Sequence, residues 1–225
     1  MFEGFLTESI IGRALDSGKI KIKIHDLHKW GIGKWKKVDD TPYGGGSGMV
    51  LKVDVVAKAI QDIKADYQKD KRRKSENCKI KTILLTPQGR TYNQSLAKGL
   101  ATDDKDILLV CGHYEGFDER IREYVDEEIS IGDYILTGGE LAAAVIIDSV
   151  ARLLPSVLGK ESSHQEESFS IKNENLLEYP QYTRPERFEE KDVPKVLKSG
   201  NHQKIEEWRN QESIKRTNKR RPDLI

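Results

Sequence analysis

Two segments of the sequence combine glycine with tyrosine and acidic residues in a way that suits a ligand site. They are GHYEGFDER at 112–120 and IGDYILTGGE at 131–140. Glycine lets the backbone approach a bound molecule closely, and a small apolar wall that includes tyrosine suits an aromatic base. Taken alone, both segments are explained equally well as ordinary turns. The residue types therefore indicate a candidate ligand site but do not identify the ligand.

The elements around these segments alternate between strand and helix. Three times an apolar strand is followed by a polar loop and then by a helical pattern. The predicted strands are 81–86, 107–111 and 128–131, and the loops after them are 87–90, 112–116 and 132–139. The helical patterns that follow are 93–101, 117–125 and 140–154. This alternation predicts an α/β fold with a mainly parallel sheet covered on both faces. Sheets of this kind bind ligands in the loops that leave the carboxyl ends of the strands. TPQGR at 86–90 is the third such loop.

Periodicity also predicts the elements on either side of this region. A helix runs from Phe2 to Leu15 and is ended by Gly18, and isoleucines alternating with lysines at 20–24 indicate a half-buried strand. The next predicted elements are a glycine-rich loop at 39–48, a helix whose apolar face carries Val53, Val56, Ile60 and Ile63, a linker at 159–175, and two C-terminal helices at about 189–198 and 201–216.

Two weaker motifs resemble binding sites without meeting their requirements. GGGSG at 44–48 lacks the Lys-Ser/Thr ending of a phosphate loop, and no strand directly precedes it. It is either a flexible turn or a place where the backbone approaches a nucleic acid closely. His25 and His28 flank Asp26 and Leu27, but without a third distant ligand they are better explained as a polar strand end than as a metal site.

Composition narrows the class of protein. The 225 residues contain 38 Lys+Arg and 37 Asp+Glu, so the net charge of +1 does not by itself indicate nucleic acid. Basic residues are nevertheless concentrated at 69–74 and from Lys195 to Arg221. Cys78 and Cys111 form no metal or disulfide pattern, and no apolar run is long enough for a membrane span or a signal segment. We expect a cytoplasmic, soluble protein without a membrane partner and without a resident metal site.

A resemblance to a known family covers essentially the whole chain. The motifs that carry it are YGGGSGM, TPQGR, CGHYEGFDER, EISIGDYILTGGELAA, IDSVARLLPSVLG, ESF, LLEYPQYTRP, LKSGNHQKIEEWR and KRTNKRRPDL, in this order. In sequence and spacing the chain resembles the bacterial tRNA (guanine-37-N1)-methyltransferases. The resemblance implies methyl transfer from S-adenosylmethionine to N1 of the guanosine on the 3′ side of the anticodon.

The resemblance also implies the architecture. Members of this family have a sheet with a deep trefoil knot, the class called SPOUT, and knots are rare among protein folds. We therefore expect a knotted cofactor-binding domain at 1–158, a flexible linker at 159–175 and a small helical tRNA-binding domain at 176–225. The active site of the family forms between two subunits, which implies a homodimer.

Carried over by motif, the resemblance gives the cofactor contacts. They lie in the three strand-end loops and are Leu85, Thr86, Pro87, Gly112, Tyr114, Glu115, Ile131, Gly132, Asp133, Tyr134, Ile135, Leu136, Gly138 and Gly139. Family resemblance further suggests that Mg²⁺ assists, although the sequence shows no dedicated ligand cluster.

Two residues match the catalytic positions of the family. Guanine N1 carries a proton that must leave before N1 can attack, so the protein needs a general base and a group that holds the guanine. In the family these are an Asp in the motif Asp-Ser-Phe and an Arg that ends Asp-Ser-Val-x-Arg. The matching residues here are Glu167 and Arg152, so the carboxylate has one additional methylene. Without the resemblance, Glu167 would be assigned to a solvated linker and Arg152 to the end of a helix.

A target guanosine inside a stem-loop must be flipped out, and phosphate contacts then fall to the basic C-terminal helices. The candidate RNA-binding residues are Arg209, Lys215, Arg216, Arg220 and Arg221. The alternative for these residues is a solvated helix face. Trp208 is a candidate for base stacking, but its spacing from Ile205 favours the core.

Family members usually begin with an apolar strand before the stretch that matches Met1 and Phe2, and this sequence begins without it. A sheet that lacks this strand is expected to leave an edge unpaired. Two other functions compete with the first: a knotted methyltransferase acting on another RNA position, and a catalytically silent RNA-binding protein.

Overall fold

The structure is a computed structural model that describes residues 2–69, 79–158, 167–170 and 176–225. Two compact units divide the chain, Met1–Val157 and Leu158–Ile225. Most of the predicted linker, 159–166 and 171–175, lies outside the described residues, as does most of the basic stretch at 69–74. The roles assigned to the three predicted domains stay predictions.

Three parallel strands form the centre of the first unit. They are β3 (Ile80–Thr91), β4 (Asp106–Val110) and β5 (Glu127–Ser130), hydrogen-bonded in the order β4-β3-β5. A short antiparallel pair, β1 (Asp39–Asp40) with β2 (Val50–Leu51), lies earlier in the chain and encloses the glycine-rich loop. The α/β class and the parallel sheet are confirmed, whereas the trefoil knot stays a prediction.

The sheet is covered on both faces because β3 alternates its side chains between two apolar clusters. Leu84 packs with Val55, Val56 and Ile60 of α3 (Val53–Lys69). Ile83 and Leu85 face the other cluster, which contains Leu100 of α4 (Gln94–Thr102) and Ala142, Ala143 and Ile146 of α5 (Glu140–Ala151). The side chains of Ile83, Leu84 and Leu85 are all buried. This is the alternation expected of a strand that lies between two layers of helices.

The strand β3 continues beyond its predicted end. A loop was expected at 87–90, yet the strand runs to Thr91, and both Leu85 and Arg90 pair with Ile129 of β5. The chain between them bulges out, and Gly89 lies so close to β5 that an added Cβ would come within 2.5 Å of the backbone nitrogen of Ile129. A bulge lets a strand pair again after extra residues, which periodicity alone does not predict.

Helix predictions succeeded where the apolar face packs on the sheet. The helices predicted from Val53, at 93–101 and at 140–154 correspond to α3, α4 and α5. The predicted N-terminal helix is two helices, α1 (Phe2–Thr7) and α2 (Ser9–Asp16), because the backbone of Glu8 between them is extended and Ser9 has a φ of 58°. The helix predicted at 117–125 is a shorter 3₁₀-helix, Glu119–Tyr124.

The strand predicted at 20–24 is wrong. Residues 19–26 have neither strand nor helix structure, and Ile24 is exposed. Among the described residues no strand pairs with this segment. An alternating pattern provides one apolar face, but an extended segment becomes part of a sheet only when a neighbouring strand satisfies its backbone.

The second unit contains one long helix, α6 (His202–Arg220), which confirms and extends the helix predicted at 201–216. The helix predicted at 189–198 is wrong: a hairpin of β6 (Arg187–Phe188) and β7 (Lys191–Asp192) extends into this stretch, and the 3₁₀-helix Lys195–Lys198 follows it. The buried side of α6 is polar. Thr217 donates to the carbonyl of Ser213 at 2.7 Å and accepts from the backbone N–H of Leu177 at 2.9 Å.

In the part of the chain that the structure describes, no helix is both long enough and apolar enough to cross a membrane.

Candidate active site

The parallel register brings the ends of three strands to one edge of the sheet. Leu84 of β3 pairs with Val110, the last residue of β4, and Leu85 pairs with Ile129 of β5. The segments that follow β4 and β5 are 111–116 and 131–139. All the predicted cofactor residues therefore belong to segments that leave, or pass, the same edge of the sheet.

Two of these segments are joined through their backbones. The N–H of Gly139 donates to the carbonyl of Gly112 at 2.8 Å, and His113 forms an antiparallel bridge with Gly138. An added Cβ on Gly139 would lie 2.9 Å from Cα of Cys111 and 3.0 Å from the nitrogen of Gly112. The glycine at 139 is thus required by the protein's own backbone. Its assignment as a cofactor contact stays a prediction.

A close contact between His113 and Glu140 at the same place was missed by the sequence analysis. His113 Nε2 lies 2.6 Å from Oε1 of Glu140, which stands in the first turn of α5, where a negative charge is favoured by the helix dipole. The other oxygen of Glu140 is buried without a hydrogen-bond partner among the described residues. Both residues lie inside the motifs that carry the family resemblance, but only the fold brings them together.

Cys111 lies beside this pair. Burial and the neighbouring Glu140 carboxylate raise the pKa of the Cys111 thiol to about 12. The thiol is therefore protonated at neutral pH and is a poor nucleophile, since the thiolate is the reactive form. Cys111 acts as a small, partly buried side chain at the start of the segment.

The segment 114–116 is tied to the glycine-rich loop. The N–H of Glu115 donates to the carbonyl of Met49 at 3.0 Å, and the N–H of Leu51 donates to the carbonyl of Gly116 at 2.9 Å. Gly48 lies against the Glu115 side chain, because a Cβ added to Gly48 would be 2.5 Å from Cγ of Glu115. Tyr114 adopts a φ of 61° and leaves its ring exposed. The glycine-rich loop therefore belongs to the surroundings of the site, with Glu115 between it and the strand ends.

The segment after β5 turns sharply at Gly132, whose φ of 147° is in the region that favours glycine. The hydroxyl of Ser130 accepts from the N–H of Gly132 at 3.2 Å and donates to its carbonyl at 3.1 Å. Tyr134 and Ile135 then project with exposed side chains, whereas Leu136 returns to the apolar cluster. The segment offers a fixed turn and an apolar surface open to a ligand or a partner.

The residues present fit an adenosyl cofactor. Glycines allow close approach of the backbone, Tyr114 and Tyr134 supply exposed aromatic surface, and the unpartnered oxygen of Glu140 supplies a hydrogen-bond acceptor. Leu85, in contrast, buries its side chain in the core, so only its backbone is available. Among the described residues, no group of three or more His, Cys, Asp or Glu is placed to hold a metal ion.

Comparison with known proteins identifies the family. Over residues 1–225 the chain matches the family described as tRNA (Guanine-1)-methyltransferase TrmD. It is 50% identical over 225 residues to a Clostridium novyi protein named tRNA (guanine-N(1)-)-methyltransferase, covering all of this chain and 87% of that protein. Proteins of the same name from Geobacillus kaustophilus and Bacillus pumilus are 52% and 51% identical over 226 residues, with the same coverage. The chain belongs to the TrmD family.

Membership of the TrmD family makes the protein an enzyme that methylates guanine at N1 in tRNA, and S-adenosylmethionine is the general methyl donor of such enzymes. This confirms the family, the class of enzyme and the class of substrate expected from the resemblance. The residue assignments carried over from the TrmD family are a separate matter, and their individual roles stay predictions.

The two predicted catalytic residues belong to different compact units. Arg152 ends α5 in the first unit, where its N–H donates to the carbonyl of Asp148 at 3.2 Å. Glu167 belongs to the second unit, and its carbonyl accepts from the N–H of Ser170 at 3.1 Å. Both side chains are partly buried.

The five basic residues expected to bind tRNA have different surroundings in the second unit. Arg209 lies over the ring of Tyr179, with 4.6 Å between guanidinium carbon and ring centroid, and Arg216 donates to the carbonyl of Glu178 at 3.2 Å. Arg221 makes a two-point ion pair with Asp223. Lys215 and Arg220 are exposed, Lys215 beside Glu212. Trp208 contacts the ring of Tyr182 within the unit.

Proposed function

We propose that this protein transfers the methyl group of S-adenosylmethionine to N1 of guanosine 37, the nucleotide on the 3′ side of the tRNA anticodon. The observation that carries the proposal is the match to the TrmD family over all 225 residues. The interlocked segments at the strand ends support it, because they form a fixed backbone surface where the resemblance expects the cofactor.

The cofactor, in this proposal, is held by the strand-end residues named from the resemblance. S-adenosylmethionine supplies an electrophilic methyl group on a positively charged sulfur. The backbone turn at Gly132 and the bond between Gly139 and Gly112 fix the protein groups that surround it. Groups fixed before binding do not have to be ordered at the moment of reaction, which is how positioning lowers a barrier.

Glu167 is proposed as the base that takes the N1 proton of guanine. Local hydrogen bonds support its placement: Phe169 donates to the carbonyl of Leu176 at 3.0 Å, and Glu178 donates from its N–H to the hydroxyl of Ser168 at 2.9 Å. These bonds join the turn that carries Glu167 to residues 176–178. Arg152 is proposed to hold the guanine, and Glu115 is the next candidate for the base.

A homodimer is part of the proposal. Ile135, Leu141 and Val145 expose large apolar side chains on the segment before α5 and on one side of that helix. Leu141 and Val145 are four residues apart, so they share a face. Large apolar side chains exposed together on one helix face are typical of an interface. Mixing Arg152→Ala chains with Gly139→Val chains tests whether subunits share a site, since heterodimers would regain activity.

Mg²⁺ assists the reaction, as the family resemblance suggests. The enzyme acts in the cytoplasm, where bacterial tRNA is used.

Mass mapping of unmodified tRNA after incubation with the purified protein and labelled S-adenosylmethionine tests the function. We expect one methyl group, on N1 of guanosine 37. A methyl group elsewhere would point to a methyltransferase for another RNA position. Binding of tRNA without methyl incorporation would point to a catalytically silent RNA-binding protein.

A further inference from the structure

A tight hairpin in the first unit lies outside the residues assigned above. It spans residues 32–37, and Ile32 and Lys37 exchange two backbone hydrogen bonds of 2.9 Å each. Gly33 has a φ of 73° and Lys36 a φ of 49°, the left-handed values that close such a turn. Gly31 lies so close to the carbonyl of Lys36 that a side chain there would overlap it.

Both ends of this hairpin are anchored. Before it, Trp30 packs on the cluster around α3 and donates from its indole N–H to Asp62 at 3.0 Å. After it, Val38 is buried, and its carbonyl accepts from the N–H of Lys52 at 2.9 Å. The tip is therefore presented on a fixed base, so little conformational entropy is lost when a partner binds it.

The tip carries an exposed aromatic ring among positive charges. Trp35 is 85% exposed, in contrast to the anchored Trp30, and the ammonium of Lys34 lies 5.6 Å from the centre of its ring. Between Leu27 and Val38 the sequence contains four lysines, two tryptophans and no acidic residue. An exposed tryptophan adds nothing to the core. Aromatic rings interleaved with cations are what single-stranded nucleic acids bind, through base stacking and phosphate contacts.

The tip also lies next to the candidate active site. A groove of about 350 Å³ is lined by hairpin residues, among them Trp35 and Lys37, by His28, Val38 and Asp39 on either side of the hairpin, and by Tyr114. Tyr114 is one of the predicted cofactor residues and projects from the segment after β4. RNA that occupies this groove therefore reaches the strand-end segments within the same unit.

We propose that the hairpin at 32–37 binds the anticodon loop of tRNA, with an unpaired base stacked on Trp35 and phosphates beside Lys34 and Lys36. The identity of the RNA rests on the proposed function, whereas the stacking surface rests on the hairpin itself. A second copy of this chain is a poorer occupant, because two tips rich in lysine repel each other. Unpaired loop nucleotides fit best, since their bases are free to stack on an aromatic side chain.

The test measures binding of a labelled anticodon stem-loop RNA to the full chain and its variants. Trp35→Ala is expected to weaken binding by about 5- to 100-fold, the effect of removing one base-stacking interaction. Trp35→Phe, which retains an aromatic face, is expected to remain within about threefold of the unchanged chain, whereas Trp35→Leu behaves like Trp35→Ala. Trp35 is exposed, so none of these variants disturbs the core.

Charge and base pairing provide two further comparisons. Replacing Lys34 and Lys36 with Ala is expected to reduce the slope of log affinity against log salt by about 0.7 for each lysine that neutralises a phosphate. Lys105→Ala, which removes a lysine that pairs with Asp103 just before β4 and touches neither the hairpin nor its anchor, is the matched control and leaves the slope unchanged. A fully paired RNA of equal length should show no difference between Trp35→Ala and Trp35→Phe.

Three results would overturn the proposal: equal binding of the stem-loop by Trp35→Ala and the unchanged chain, equal weakening on paired RNA, or a change in oligomeric state with RNA affinity unaltered. The last would make the hairpin an interface between copies. Mapping of the nucleotide that the unchanged chain methylates tests the proposed function independently of the hairpin. A failure there overturns the proposed function, while a Trp35-dependent affinity for unpaired RNA still supports the hairpin.

Discussion

The strand-end segments of the first unit and the helix α6 of the second unit use their motif residues in different ways. At the strand ends, Gly139 lies against the backbone of Cys111 and Gly112, and Gly112, Gly132 and Gly138 lie against side chains of the same region. On α6, polar and basic side chains are divided between internal contacts and solvent, as Arg216 and Arg220 show. The first region tolerates almost no change in shape, whereas the second tolerates changes at its exposed positions.

This difference teaches that a shared motif does not assign a shared role. A residue in a ligand-binding motif can be required because the protein's own chain occupies the space around it. A basic residue in an RNA-binding motif can be required because it closes its own unit. The predictions below separate the residues that act on ligands from those that hold the structure.

Glu167 is expected to give the largest effect, because proton removal by a positioned base contributes about 10²–10⁴-fold to a rate. Glu167→Gln should lower the single-turnover rate by that order while S-adenosylmethionine and tRNA still bind. Glu167→Asp tests the reach of the side chain, since a displacement of about 1 Å can cost about 10²-fold. Near-normal single-turnover rates for Glu167→Gln would remove it from the mechanism and leave Glu115 as the candidate.

Gly139→Val is expected to come next, with a loss of stability of about 1–3 kcal/mol from overpacking and a loss of cofactor affinity. The added side chain separates Gly139 from Gly112 and breaks their 2.8 Å hydrogen bond. Gly99→Ala on α4 is the control, because an added Cβ there meets nothing within 4 Å. It should stabilise the chain by about 0.5–1 kcal/mol. Denaturant unfolding and calorimetry with the cofactor measure both effects. Unchanged cofactor affinity in Gly139→Val would show that the contact between Gly139 and Gly112 is not needed for cofactor binding.

The comparison also shows how far the sequence alone could predict this molecule. The alternation of strands and helices predicted the parallel sheet and the edge at which its loops meet, because apolar periodicity records which faces are buried. It did not predict the continuation of β3 to Thr91, because a bulge depends on how Gly89 fits against β5. Likewise, the pair of His113 with Glu140 depends on contacts between segments 27 residues apart, which residue types do not encode.

The roles of the basic residues of α6 could not be predicted from the sequence either. Their charge predicted an RNA surface, but charge does not distinguish a guanidinium that solvent surrounds from one that bonds to a carbonyl. Arg209 and Arg216 contact Tyr179 and Glu178 in their own unit. Only the folded structure separates these residues from Arg220.

Arg216→Ala is therefore expected to lower the stability of the second unit by about 1–2 kcal/mol, since it removes a charged donor from the carbonyl of Glu178. Arg220→Ala, at an exposed position on the same helix, should change stability by less than about 0.5 kcal/mol. Thermal unfolding of the two variants measures the contrast. Equal stabilities of the two variants would show that the contact of Arg216 with Glu178 does not stabilise the unit and that Arg216 behaves as a solvated residue.

The smallest expected effect is a difference between Arg220 and Arg221 in how much each contributes to the salt dependence of tRNA binding. Arg220→Ala should reduce the slope of log affinity against log salt by about 0.7–0.9, the value for one neutralised phosphate. Arg221→Ala should reduce it less, because Asp223 lies 2.7 and 2.9 Å from the Arg221 guanidinium and already compensates its charge. The same ion pair lowers the pKa of the Asp223 carboxyl, so the pair remains ionised at neutral pH. Asp223→Asn removes that compensation and should steepen the slope. If Asp223→Asn leaves the slope unchanged, Arg221 does not contact phosphate at all.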